Sequence, residues 1–111
     1  MSTKKGKRFP DWLEQMVEMI AEAFHPERII LFGSYARGEA DKQSDIDLFV
    51  EMETSLSPPE RAIAISNLFG LRSWAMDLVV YTPDEVRKLQ GIYGTLLSQI
   101  EREGQVLYEK A

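Results

Sequence analysis

The stretch that most restricts what this chain can become is Gly33 to Glu51, GSYARGEADKQSDIDLFVE. It opens with a Gly-Ser pair directly after the apolar run Ile29-Ile30-Leu31-Phe32 and closes with Asp45-Ile46-Asp47 at the head of a second apolar run. Side chains alternate faces along a strand, so Asp45 and Asp47 point one way while Ile46, Leu48 and Val50 point the other. Same-face neighbours lie roughly 6.5–7 Å apart. Two anions at that spacing repel by about 2–3 kcal/mol at an effective dielectric of about 20. A strand with no further task would avoid that cost. A divalent cation between the carboxylates reverses its sign, and hard cations such as Mg²⁺ favour carboxylate oxygens.

The flanking sequence sets this stretch among alternating helices and strands. Pro10 to Phe24 reads as a helix, with Trp12, Leu13, Met16, Val17, Ile20, Ala23 and Phe24 on one stripe and Glu14, Glu18 and Glu22 opposite. Pro26 ends it at His25. Arg28–Phe32 reads as a buried strand, Ser34 onward as a helical turn broken at Gly38, and Asp45–Glu51 as a second strand. Ser57-Pro58-Pro59-Glu60 is a helix start running to Leu68 or Phe69, with Gly70 as its stop. Trp74–Tyr81 is a third strand. Thr82-Pro83-Asp84-Glu85 repeats the capping pattern, Gly91 and Gly94 predict a break, and Thr95–Glu103 continues as helix to Gly104. Val106–Tyr108 reads as a short strand or an extended end. The expected class is α+β: a small mixed sheet with helices on one face and the aspartates on the open one.

At 111 residues the expectation is one domain over 10–111, preceded by a basic tail at 1–9 that holds Lys4, Lys5, Lys7 and Arg8. There are no cysteines, which excludes disulfides, thiolate metal sites and a cysteine nucleophile. A net charge of −5 argues against a broad surface for nucleic acid. No apolar run approaches the length of a membrane span and no signal-peptide pattern precedes the fold, so a cytoplasmic location is expected.

Asp77, in the middle of WAMDLVVY, is the third residue that calls for chemistry, because buried carboxylates are rare unless paired or metal-bound. With the third strand beside the second, Asp45, Asp47 and Asp77 converge on one patch. Such a set can hold one or two divalent ions for chemistry at phosphorus. Gly33 lets backbone approach a ligand closely, the amides after it form an anion pocket with Ser34, and Arg37 offers a fork donor to a polyphosphate. Each residue alone also fits a plainer role: Asp45 capping a turn, Asp47 facing water, Asp77 paired with an arginine, Gly33-Ser34 as a strand-exit turn. Gly33 to Gly38 is not a P-loop, since Glu39-Ala40 stands where Lys-Ser/Thr is needed. His25, the one histidine, reads as a helix-end residue, so histidine triads and histidine metal clusters have no basis.

Taken together, Gly33-Ser34, Asp45-Ile46-Asp47 and Asp77 resemble the polymerase-β-like nucleotidyltransferase superfamily. GSYARG and SDIDL are similar to its minimal nucleotidyltransferase (MNT) branch, as is the later PDEV segment. The resemblance covers roughly residues 28–81 and departs from none of the matched positions. It implies ATP with Mg²⁺ as donor, Asp45 and Asp47 as metal ligands, Asp77 completing the triad, and Gly33, Ser34 and Arg37 around the triphosphate. Some antitoxins of that branch silence a HEPN-domain toxin by transferring AMP to a tyrosine on it. The expected function is therefore adenylyl transfer from ATP to a hydroxyl on a partner protein. A binding module that neutralises its partner by covering it stands as the alternative, and modification of a small molecule such as an aminoglycoside as a third reading.

Overall fold

A computed structural model describes residues 11–40, 44–70 and 75–111. The elements run α1 (Asp11–Phe24), β1 (Arg28–Phe32), α2 (Gly33–Arg37), β2 (Ile46–Glu51), α3 (Pro58–Ser66), β3 (Met76–Tyr81), α4 (Pro83–Leu89), α5 (Leu96–Glu103) and β4 (Gln105–Glu109). The expected basic tail, Pro10 and Trp74 lie outside the described residues.

Local chemistry sets most of these boundaries. The stripe of α1 is buried through Leu13, Met16, Val17 and Ile20, and the helix stops at His25, whose φ of 50° turns the chain while its N–H reaches Ala21 O. At the start of α3 the Ser57 N–H and hydroxyl both donate to Glu60 Oε1, at 3.0 and 2.9 Å. The start of α4 is a reciprocal box: the Thr82 N–H donates to Glu85 Oε1 (2.9 Å) and the Glu85 N–H to Thr82 Oγ1 (3.1 Å). The third expected helix ends earlier, at Ser66 rather than at Leu68 or Phe69, because Leu68 and Phe69 bond back three residues in a tightening turn. The short strand expected at 106–108 is a full edge strand of five residues.

The four strands form one sheet in the order β3-β2-β1-β4. β1 is antiparallel to both β2 and β4, and β2 is parallel to β3 across the connection that carries α3. The α+β class with a mixed sheet is as expected, but the helices lie on both faces rather than one. On the first face Ile29, Leu31, Leu48, Val50 and Val80 pack with Leu13, Met16, Val17 and Ile20 of α1 and Ile65 of α3. On the second, Ile30 and Phe49 pack with Val86 of α4 and with Leu97 and Ile100 of α5. The reason is in β1 and β2 themselves: RIILF and LFV put large apolar groups on both sides, and each side needs a cover.

That second face is the one the aspartates share. Its far end is closed by Arg28, which donates to Glu51 and Glu101 at 2.6 Å each and lies over the Phe49 ring, 5.5 Å from its centroid. The end at the close of β1 and the start of β2 and β3 is left polar.

Candidate active site

Pairing register builds the site. Phe32 of β1 stands opposite Asp47 of β2, and Asp47 opposite Asp77 of β3, so the three form one row across the sheet. The next row, Ile30, Phe49 and Val79, belongs to the apolar cluster under α4 and α5. Asp47 is therefore half-buried against that cluster, whereas Asp77, on an edge strand, and Asp45 are exposed. β2 begins at Ile46 rather than at Asp45, and the Ile46 N–H bonds Ala75 O (3.0 Å), which joins the two strand starts just before the aspartate row.

The electrostatics of the row are those of like charges held together. Burial holds the Asp47 carboxyl above the usual carboxylate range. The charges of Asp77 and Asp45, and hydrogen bonding with Asp77, push it the same way, while Arg37 pulls against them. The structure thus brings Asp45, Asp47 and Asp77 into one electrostatic group.

Gly33 is pressed against this group. Its φ is +76°, and a Cβ there would sit 2.1 Å from Asp47 Oδ2 and 2.9 Å from Asp47 Cγ. Both the backbone conformation and the space require glycine. Ser34 follows in α2, and its carbonyl accepts from the Glu39 N–H at 2.9 Å. Arg37 ends α2 on the same side. It pairs with Glu39 (3.0 Å) and Glu103 (3.8 Å), and its charge also acts on Asp47. His25 is exposed at the end of α1, as the helix-end reading expects.

Repelling carboxylates beside a backbone with no room for a Cβ fit a hard divalent cation. Among the described residues no group of three His, Cys, Asp or Glu side chains makes a ready cage. Mg²⁺ is commonly held by one or two carboxylates with water and substrate phosphate oxygens filling the remaining positions, and Asp47 and Asp77 are the two carboxylates in register here.

Two residues near the site carry no local signal in the sequence. Glu103 reaches Arg37 from α5, and Gln105 donates through Nε2 to Ala36 O at 2.7 Å from 69 positions away. Only the fold brings them to α2.

The fold thus sets a Gly-Ser turn and a short helix at the end of β1 beside the aspartates of β2 and β3. Residues 13–107 match the family model described as "Nucleotidyltransferase domain", and the chain belongs to that family. Among curated proteins it is similar to "Putative protein adenylyltransferase MJ0141" of Methanocaldococcus jannaschii, with 43% identity over 49 residues, 41% of this chain and 48% of that one. The chain spans about half the length of the curated relatives it matches. Among solved structures it shares its fold with a "putative nucleotidyltransferase from Sulfolobus solfataricus" (TM-score 0.60, 21% identity, 88% of this chain and 78% of that one). It shares it also with a toxin-antitoxin complex crystallised with AMP-PNP (TM-score 0.57, 24% identity, 87% and 73%).

Proposed function

We propose that this chain transfers AMP from Mg²⁺-ATP to a tyrosine hydroxyl on a HEPN-domain toxin, and so acts as the cytoplasmic antitoxin of a toxin–antitoxin pair. The observation that carries the reading is the row Asp47–Asp77, in register across β2 and β3, with the Gly33 backbone against Asp47. Asp45 and Asp47 would hold one or two Mg²⁺ ions, with Asp77 as a further ligand or as acceptor of the proton from the attacking hydroxyl. Bound Mg²⁺ supplies charge neutralisation of the triphosphate. Gly33, Ser34 and Arg37 hold the phosphate tail. The acceptor oxygen bonds to the α-phosphorus, the bond to pyrophosphate breaks, and pyrophosphate leaves. The exposure of Asp77 on an edge strand suits an acceptor that arrives from another molecule. The relative named as an adenylyltransferase and the toxin-antitoxin fold neighbour support both donor and partner class.

The test is incubation with the partner protein, Mg²⁺ and ATP labelled at the α-phosphate. Label on a partner tyrosine is the expected result. A tight complex that stays unlabelled would sink the enzymatic reading in favour of a module that neutralises by covering.

A further inference from the structure

α2 has five residues, too few to hold a helix in place by its own hydrogen bonds. Yet it carries Gly33, Ser34 and Arg37, three of the residues assigned above to the nucleotide. Its position must be imposed from outside. At its start it is continuous with β1, and Ala36 is buried against the first-face core. At its end the grip comes from the corner between α5 and β4, where three successive residues act together. Glu103 lies 3.8 Å from Arg37. Gly104 packs closely against β1: a Cβ there would stand 2.4 Å from Ile30 Cγ2 and 3.0 Å from Leu31 O, so the corner has room for glycine alone. Gln105, paired with Leu31 in the sheet, donates through Nε2 to Ala36 O at 2.7 Å.

The chemistry of that last bond is specific. The Ala36 carbonyl belongs to the last turn of a helix, where acceptors lack intrahelical donors. Only the NH₂ side of the Gln105 amide can serve it. The sheet pairing of Gln105 fixes the donor on β1's own frame, so α2 is referenced to the same strand that presents Phe32 beside Asp47.

We propose that Gln105 is a positioning residue for nucleotide binding: its bond to Ala36 O sets the tilt of α2, and with it the placement of Gly33 against Asp47 and of Arg37 beside the site. This rests on the nucleotide site proposed above and adds a determinant outside it. A contact that only stabilises the fold would, when lost, lower the melting temperature and leave nucleotide affinity alone. A positioning contact moves the affinity.

The experiment measures the Kd of Mg²⁺ with a non-hydrolysable ATP analogue by calorimetry, alongside the melting temperature, for wild type, Gln105→Glu, Gln105→Ala and Gln105→Lys. Glutamate keeps the shape but presents a carboxylate to Ala36 O. Lysine keeps a donor with enough reach. The expected result is a Kd raised about five- to tenfold in the glutamate and alanine variants, the worth of one hydrogen bond, and restored in the lysine variant. Wild-type affinity in a folded glutamate or alanine variant, with or without a lower melting temperature, overturns the role of Gln105 and leaves the site standing. A wild-type chain that does not bind the analogue overturns the site, and this inference with it.

Discussion

Charged clusters flank β3 at its two ends, and they are built on opposite principles. Past its close, Arg61 is 6% exposed and each of its three guanidinium nitrogens donates a hydrogen bond. Nη1 and Nη2 meet Glu85 Oε1 and Oε2 at 2.8 and 3.1 Å, Nη1 also donates to Val80 O (3.1 Å), and Nε donates to Leu56 O (2.9 Å). The Arg61 hydrogen bond, then the Thr82 backbone, holds the Glu85 carboxyl below its usual range. At its start, Asp77 faces Asp47, and the carboxyl of Asp47 is held above its range. One cluster is neutralised by the chain itself. In the other, the positive charge that the described residues bring is that of Arg37, which is shared with Glu39 and Glu103. Among the described residues the first cluster is closed on itself, and the second keeps like charges side by side.

The contrast can be broken most directly at the aspartates. Asp47→Asn and Asp77→Asn are expected to cut adenylyl transfer roughly a thousandfold, the scale of losing charge stabilisation at a phosphoryl centre. The melting temperature of Asp47→Asn should hold or rise, because repulsion has been removed. Transfer at the wild-type rate in either variant would refute the assignment. Arg61→Met should do the reverse. Removing one partner of a buried ion pair costs about 3–5 kcal/mol, read by urea denaturation, while the folded fraction keeps its nucleotide affinity. A smaller effect sharpens the comparison: Mg²⁺ at about a hundred times its Kd should stabilise the wild type by about 2.7 kcal/mol and leave Asp47→Asn nearly unmoved.

The smallest expected effect is on pH dependence without metal, and its sign differs between the clusters. The folded value for Asp47 is raised, so its contribution is fully present below the unfolded aspartate value and is lost as pH rises through the folded one. The folded value for Glu85 is lowered, so its contribution is present above the unfolded glutamate value and is lost as pH falls through the folded one. As pH rises through the acidic range, wild type should lose stability relative to Asp47→Asn and gain it relative to Glu85→Gln, so the two difference curves have opposite signs. Divergence in the same direction contradicts the assignment.

Much of this was open to reading along the chain, for local reasons. The bounds of β1 follow from an apolar run between Pro26 and Gly33, and α4 from a capping box written into four consecutive residues. The site row follows from alternation once β2 and β3 are neighbours. What escaped was long-range. Phe49 sits on the same face as Asp47, which already argues that this face is partly covered, yet only the packing of α4 and α5 shows how far. The Arg61–Glu85 pair and the Gln105–Ala36 bond join residues 24 and 69 positions apart, and no periodicity reports such contacts.

The parallel pairing of β2 with β3 has a consequence for how this domain tolerates change. Because successive side chains in β3 face opposite ways, deleting Leu78 would put Asp77 out of step with the rest of the strand, rotating the acid into the greasy layer under α1 and α3 and turning Met76 toward the Asp47 face. Extra residues in the loop before Pro58 would leave that parity intact. Length is negotiable on the way to β3; parity within it is not.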